Sequence, residues 1–299
     1  VTLFIPFLNI VALAFLPVPT VILLAKNRIR DALICALAGT LFLFIFNYIA
    51  AIMFLAIIIS IAYNYRYIIN NNKQVIYSIE TTFGILIAAV FLFFLFNSAI
   101  LRQNYFVELI TAFNNYINNL PKDPILQSYK NTVIFSASQY DETVAQVQAF
   151  LKFILKLIPG FMIVFLGIVS VINYVLSFIM LARYGISIRS VKPFKEWDYP
   201  WYYCWGVILG IILVITPPFS ERFDNIIDIA GYNFLIVFGF LYFIAGLAVV
   251  WGLLDKISVS RSVKYFILIF MFFLLGLIFL PAMGLIDIWV NFRKLKRSQ

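Results

Sequence analysis

The fold is decided by residues Lys264–Arg297, which read KYFILIFMFFLLGLIFLPAMGLIDIWVNFRKLKR. Sixteen uncharged, mostly apolar residues precede Pro281, and one acid, Asp287, lies inside the apolar run that follows. Because a long uncharged run is typical of a transmembrane helix and proline ends or kinks a helix, the segment predicts a membrane span with a break and a basic end. Four bases close it: Arg293, Lys294, Lys296 and Arg297.

The composition of the whole chain is that of a membrane protein. Of its 299 residues, 64% are hydrophobic and 12% are charged, and the mean hydropathy is +1.01. Soluble domains carry about 25% charged residues. The net charge of +9 comes from bases clustered between apolar runs, as the positive-inside rule requires. We therefore expect the lipid bilayer, and no nucleic acid, as a partner.

No motif in the sequence indicates catalysis. Histidine is absent, which excludes imidazole from acid–base chemistry, haem ligation and most zinc sites. The two cysteines, Cys35 and Cys204, cannot form a metal cluster alone, and both lie in apolar runs. Because the chain has neither a phosphate-binding glycine loop nor a nucleophile elbow, we expect a protein that is not an enzyme and that holds no cofactor or metal.

Repeated apolar runs predict an all-α, polytopic transmembrane helix bundle with about eight spans. The first run contains Pro6, Pro17 and Pro19, which kink a helix or leave it discontinuous. The second and third are separated only by Asn47 and are expected to form a tight hairpin. The expected spans cover residues 3–25, 31–46, 48–63, 81–101, 158–182, 201–216, 232–254 and the segment quoted above.

One long polar region, residues 102–156, interrupts this pattern and is expected outside the cytoplasm. Two sets of apolar residues recur at helical spacing on either side of Pro121 and Pro124, and they predict two amphipathic helices. These helices form either a cap on the outer membrane face or a partner-binding domain. The sets are Phe106, Leu109, Ile110, Phe113 and Ile117, and Val144, Val147, Leu151, Ile154 and Leu155.

Small residues at regular spacing predict places where two helices approach closely. The signal is weak at any one position, because such spacing is common by chance. The candidates are Gly84 with Ala88, the GxxxG pattern of Gly206 and Gly210, and Gly239 with Gly246.

The basic loops leave the topology of the C-terminal part open. Residues 183–201, RYGISIRSVKPFKEWDYPW, are the clearest cytoplasmic loop. Strict alternation then places residues 256–264 inside and the C-terminal bases outside. A re-entrant hairpin at residues 201–231 would instead place the C-terminal bases inside and residues 256–264 outside.

Several segments together resemble the YybS-like family of predicted bacterial membrane proteins, a domain of unknown function numbered 2232. They are PFLNIVALAFLPVPTVILLAKNRIRDAL, RYGISIRSVKPFKEWDYPW, FLYFIAGLAVVWGLL and GLIDIWVNFRKL. The most specific positions are those of the terminal motif, Gly284, Asp287, Phe292 and Arg293. The resemblance implies a multi-pass protein of the bacterial cytoplasmic (inner) membrane.

That family is thought to be distantly similar to the S components of energy-coupling-factor vitamin transporters, which have six helices and cytoplasmic termini. The resemblance therefore implies an S-component-like core at residues 1–182 that includes the outer loop 102–156. It also implies that a first helix precedes Val1. A basic cytoplasmic loop at 183–200 and additional helices with a basic tail at 201–299 would follow.

Four polar side chains are expected near the outer ends of their helices. Polar groups inside a membrane are costly and are more often functional than surface ones, so the four could line an outward-opening pocket for a small polar or aromatic solute. The alternative is interhelical hydrogen bonding and interfacial anchoring. Asn173 lies deeper and is expected to form a helix–helix contact. The four are Asn9, Asn47, Asn97 and Arg102.

Asp287 has two interpretations. It could carry a proton or a coupling ion, or it could lie near the membrane interface with Lys294, two helical turns away, as its partner. The basic cluster that follows directly favours the second interpretation.

These patterns favour a solute-binding or uptake protein in the manner of a vitamin-transporter S component. Coupling subunits would move it, because the chain has no nucleotide-binding motif. The alternative is a non-transporting scaffold or assembly partner in the cell-envelope or division machinery. A respiratory-complex subunit is disfavoured by the absence of histidine for haem.

Overall fold

The computed structural model describes residues 14–46, 48–99, 102, 104–122, 137–186, 188–216, 221–257 and 259–295. All regular secondary structure in these ranges is helical, which confirms the all-α prediction. Short 3-10 turns lie at 120–122, 194–196 and 201–203. The α-helices are α1 (Pro17–Ala25), α2 (Ile29–Phe46), α3 (Tyr48–Asn70), α4 (Val75–Ala99), α5 (Tyr105–Asn119), α6 (Ala137–Arg183), α7 (Cys204–Ile215), α8 (Glu221–Lys256) and α9 (Arg261–Val290).

Four segments of these helices are long and apolar enough to cross a membrane: Tyr48–Asn70, Val75–Ala99, Gln139–Arg183 and Ile226–Lys256. A fifth exists if the two arms of α9 are counted as one span. The described residues therefore support four or five spans, and the predicted eight are not confirmed. Residues 1–13, which hold half of the expected first span, lie outside the described ranges.

In its described residues, 104–122 and 137–156, the predicted outer loop contains one separate amphipathic helix. Helix α5 begins as expected, with the Asn104 side chain accepting a hydrogen bond from the Val107 amide at 3.2 Å. The second set of apolar residues instead belongs to α6, so the prediction of a second separate helix is wrong. No helix-breaking residue lies between Ala137 and Pro159, and the helix therefore runs on into the apolar segment.

Unit 1 is a compact group of helices comprising Val1–Gln148 and Phe165–Val191. Its core contains Ile61 and Tyr65 of α3, Leu86 of α4 and Val169 of α6, all almost fully buried. Apolar side chains on the opposite faces, such as Phe91, are exposed, as expected for surfaces that contact lipid. Because lipid is as apolar as these side chains, the unit depends on close packing and on polar contacts between helices for its stability.

Unit 2 comprises Ala149–Val164 and Lys192–Gln299. Helices α7 and α8 are antiparallel. A Cβ atom added to Gly206 would collide with Phe238, and one added to Gly210 would lie 2.9 Å from Leu235. The GxxxG pattern therefore forms the close helix contact that the sequence predicts. The other glycines predicted to lie at close helix contacts give different results. A Cβ atom added to Gly84 or Gly239 would have no neighbour within 4 Å, whereas one added to Gly246 would collide with α9.

Helix α7 is not a full span. Its twelve residues rise about 18 Å at about 1.5 Å per residue, against an apolar bilayer core of about 30 Å. Helix α8 has 36 residues and includes the acidic segment that precedes the predicted seventh span. In the part of unit 2 that follows Lys192, a short helix, α7, is thus followed by a long one, α8.

The two ends of α9 lie at the same face of unit 2. Its segments Ser262–Phe273 and Ile278–Val290 are bent by 111° relative to each other. The bend lies about one helical turn before Pro281. Proline has no amide hydrogen to bond to the carbonyl of the preceding turn, and its ring crowds that carbonyl. Neither predicted topology describes this arrangement, because residues 195–198, 255–264 and 293 all meet at one face, as the contacts below show.

Candidate functional site

The terminal motif and the basic–aromatic loop come together in unit 2. Arg293 pairs with Asp287, with 2.8 Å between the guanidinium Nη2 and the carboxylate Oδ2, and a second bond from Nε measures 3.1 Å. The same guanidinium donates to the backbone carbonyls of Lys195 at 3.0 Å and Trp197 at 2.6 Å, and to the Asp198 carboxylate at 3.4 Å. We call Asp198, Asp287 and Arg293 the charged clamp.

The end of α9 directs Arg293 back toward its own helix. Asn291 ends the helix with a φ of +51°, in the left-handed region where asparagine is tolerated better than most residues. Its side chain also accepts from the Leu295 amide at 2.8 Å. Asp287 therefore pairs with Arg293 and not with Lys294, and the prediction of Lys294 as its partner is wrong.

A second ionic group joins the two ends of α9 to the same loop. The Asp255 carboxylate at the end of α8 accepts from Lys264 at the start of α9, and its other oxygen lies 3.2 Å from the Lys195 Nζ atom. Lys256 donates to the Phe292 carbonyl at 2.8 Å. Three segments distant in sequence therefore meet at one surface, which we call the clamp face.

Glycines allow the helices beneath the clamp to approach closely. A Cβ atom at Gly284 would collide with the Tyr242 carbonyl of α8, and one at Gly246 would collide with the Leu280 carbonyl of α9. At Gly252 the nearest atom would be Cγ of Arg293, at 3.3 Å. Gly284 of the terminal motif thus has a packing role, since a larger residue would push apart the helices that hold Asp287 and Arg293.

The clamp holds separate segments of unit 2 together. The side chains of Arg293 and Asp287 are 3% and 1% exposed, so neither is presented to a solute. A charge buried at this depth is costly unless it is paired and hydrogen-bonded, and five hydrogen bonds to four residues meet this requirement for Arg293. What the clamp fixes is the conformation of residues 195–198.

The clamp face exposes mainly bases and aromatic rings, together with the acid Glu196. Lys192, Lys294, Trp201 and Tyr202 are all exposed around it. Burial raises the pKa of Tyr199 to about 12, with the neighbouring Tyr203 adding to the shift, so Tyr199 is neutral at physiological pH. The face therefore offers positive charge and flat aromatic surface on a backbone that the clamp holds in place.

Near Pro159, a side chain of α8 satisfies backbone groups of α6 that are not bonded to each other, a contact that the sequence did not indicate. The Asn233 side chain of α8 accepts a hydrogen bond from the Gly160 amide and donates to the Lys156 carbonyl at 2.8 Å. In an uninterrupted helix these two backbone groups bond to each other. Asn233 is thus inserted between the two backbone groups and satisfies both. In the sequence, the proline within an apolar run was the signal that a neighbouring helix would have to supply such a partner.

The structure describes two of the four residues predicted to line a solute pocket, Asn97 and Arg102. The Asn97 amide is buried and donates to the Phe93 carbonyl of its own helix at 2.7 Å. Arg102 is exposed and has a φ of +53°. Asn9 and Asn47 lie outside the described residues, so the pocket stays a prediction.

The described residues contain no group of three or more histidine, cysteine, aspartate or glutamate side chains that could hold a metal ion. Cys35 and Cys204, both described, are free thiols. A shallow, open depression at the end of α5 is lined by Tyr116, Asn119, Leu120 and Lys122.

Comparisons with curated proteins and with solved structures each find no match. The predicted likeness to transporter S components therefore stays a prediction. A family described as "Predicted membrane protein (DUF2232)" matches residues 1–288, a range that includes Gly284 and Asp287 and ends before Phe292 and Arg293. Because the match covers nearly all of the sequence, the chain belongs to this family of membrane proteins.

Proposed function

We propose that the protein is a non-catalytic assembly partner of the bacterial cytoplasmic membrane, and that its clamp face binds an acidic segment of another membrane-associated protein. One observation carries the proposal: ion pairs, of which Asp287–Arg293 is buried, hold three segments in one surface whose exposed side chains are mainly basic and aromatic, with Glu196 as an exposed acid. A surface fixed in this way is suited to recognition, because a partner does not have to order it.

The charge at this face favours an acidic partner. Lys192 and Lys294 are exposed bases outside the ion pairs described above, and Trp201 and Tyr202 are 64% and 55% exposed. Tryptophan and tyrosine are among the residue types that most often anchor protein interfaces, and exposed lysines around them attract an acidic partner. The positive-inside rule predicts that this face lies in the cytoplasm.

Photo-crosslinking in cells tests this function. A photoreactive residue at Tyr202 is expected to crosslink a defined protein through a peptide rich in aspartate and glutamate. Charge reversal of Lys192 and Lys294 to glutamate is expected to abolish that crosslink. The matched control is Lys152→Glu, since Lys152 is an exposed base of unit 2 on α6, outside the segments that form the clamp face. Crosslinks to lipid alone, or a crosslink that survives charge reversal, would overturn the proposal.

Solute binding in the manner of a vitamin-transporter S component is the competing proposal. It would use Asn9, Asn47, Asn97 and Arg102, and coupling subunits would be the partners. The observation that favours it is the set of buried polar side chains inside unit 1, since such groups are costly within a membrane. Mass spectrometry of small molecules that co-purify with the protein tests it, and a solute whose binding is lost in Arg102→Ala would support it.

A further inference from the structure

Helix α6 carries a buried polar stripe in unit 1. Ser170, Asn173, Tyr174 and Ser177 follow the spacing i, i+3, i+4 and i+7, which places them on one face of the helix. Each is at most 1% exposed. The stripe carries no charge, and it faces the interior of the unit where apolar packing is otherwise the rule.

The stripe meets polar groups of three other helices. Asn173 donates to the Ala14 carbonyl at 2.9 Å, directly before α1. Tyr174 stacks on Tyr65 of α3, with 6.4 Å between the ring centroids. The Tyr65 hydroxyl lies beside those of Ser177 and of Thr82 in α4. We call this group, together with Thr20 of α1, the polar seam.

Four oxygen atoms of the seam have no hydrogen-bond partner of normal geometry: Thr20 Oγ1, Tyr65 Oη, Asn173 Oδ1 and Ser177 Oγ. Their side chains are all at most 1% exposed. An unsatisfied buried polar group costs about 1–3 kcal/mol, so Thr20 Oγ1 and the Tyr65 and Ser177 hydroxyls, whose mutual contact lacks normal geometry, call for an explanation.

Thr20 and Ser177 lie at similar depth in the bundle, whereas Asn173 lies about 6 Å from Ser177 along α6. Asn173 contacts Ala14, and Lys26 lies 3.9 Å above the Tyr184 ring, so α1 and α6 run in the same direction with matched register. Thr20 is six residues after Ala14 and Ser177 is four after Asn173, which places them within about 3 Å of each other along the helix axes. Tyr65 lies beside Ser177.

Neutral oxygens at one depth suit a monovalent cation. Divalent cations are usually held by carboxylates, and the residues of the seam include none. Channels and transporters bind K⁺ and Na⁺ through uncharged oxygens, often beside a helix that is interrupted within the membrane. Helix α1 fits this description, because the helical run breaks at Leu16, directly before Pro17, and Pro19 follows. A water-sized ion also needs no large cavity.

We propose that the polar seam of unit 1 binds a dehydrated monovalent metal cation, with Ser177, Thr20 and Tyr65 as its oxygen ligands. Binding would link α1, α3 and α6 through one ion. The site lies in unit 1 and is independent of the partner docking proposed for unit 2.

Thermal unfolding of the full chain in detergent tests the proposal. NaCl and KCl are each titrated against choline chloride at constant ionic strength. At least one metal cation is expected to raise the unfolding midpoint by a few degrees in a saturable manner, because a ligand that binds only the folded state stabilises it. Ser177→Ala and Tyr65→Phe are expected to lose this rise, and Ser60→Ala, which removes an exposed hydroxyl of α3, is expected to keep it.

Two results would overturn the proposal: equal midpoints in sodium, potassium and choline salts, or a full cation-dependent rise in both seam variants. Tyr65→Phe keeps the aromatic ring that stacks on Tyr174, so one variant tests the ligand oxygen even if Ser177→Ala fails to fold. Binding of radioactive ²²Na⁺ to the purified wild-type protein and to Tyr65→Phe gives a readout that does not depend on stability.

Discussion

Unit 1 buries polar groups that carry no charge, whereas unit 2 buries charged ones. The seam of unit 1 consists of hydroxyls and amides such as Ser177 and Asn173, some of them without hydrogen-bond partners. The clamp of unit 2 contains the buried pair Asp287–Arg293, and the guanidinium is bonded on all three of its nitrogens. The difference in charge determines how each unit should respond to loss of one side chain.

A neutral group left without its partner costs little more than its own desolvation. A buried charge left without its partner costs several times as much, because no solvent replaces the lost partner. We therefore expect single substitutions to harm unit 2 far more than unit 1, although both lie in apolar surroundings.

The largest effect is expected from Arg293→Met. The substitution leaves Asp287 as a buried charge and two loop carbonyls without their donor, and it should cost about 3–5 kcal/mol of unfolding free energy. Chemical denaturation in detergent micelles measures this loss. Lys294→Met is the matched control, since it removes an adjacent exposed base, and it should change stability by less than about 0.5 kcal/mol.

The double variant Asp287→Leu/Arg293→Met separates the cost of the charge from the role of the clamp. Removing both charges should recover most of the stability that Arg293→Met loses, because apolar replacements of buried pairs are often neutral. Limited proteolysis should nevertheless cut residues 192–200 faster than in the wild-type protein, since Lys195 and Trp197 have lost their anchor. A loop that stays protected in the double variant would show that the clamp does not fix it.

A smaller effect is expected from Asn233→Leu, which removes the amide inserted beside Pro159. Two backbone groups of α6 would lose their partner, at a cost of about 1–3 kcal/mol. In a Pro159→Ala background the Gly160 amide can bond to the Lys156 carbonyl directly, so Asn233→Leu should cost less there. Equal costs in the two backgrounds, measured by denaturation, would mean that Asn233 does not act through the interrupted ladder.

The helical content of the chain could be predicted from its apolar runs, but the number of spans could not. Run length does not show that α7 is short, or that α9 bends and returns to the same face. The GxxxG pattern at Gly206 and Gly210 identified a real helix contact, whereas Gly84 carries the same signal with no neighbour. Local spacing reports which residues share a helix face, and it does not report which other helix lies opposite.

The segments that form the site could be predicted, but their contacts could not, because local spacing does not report which segments meet. The terminal motif and the basic–aromatic loop were both recognised, but not their contact, because the contacting residues are 95 to 98 positions apart in sequence. Helical spacing suggested Lys294 as the partner of Asp287, and it fails there because the helix ends at Asn291. The polar seam was visible as spacing along α6, yet only Asn173 stood out, since serine and tyrosine are common in transmembrane helices.

The smallest effect is expected from Tyr65→Phe measured in choline chloride, where no metal cation can bind. The substitution removes a hydroxyl that lacks a hydrogen bond of normal geometry and keeps the ring, so the unfolding free energy should change by about 0.6 kcal/mol or less. Such neutral contacts in membrane proteins reach about 1.7 kcal/mol at most. A loss as large as that of Arg293→Met would mean that the unit 1 seam depends on Tyr65 as strongly as unit 2 depends on its ion pair, and the contrast between the two units would not hold.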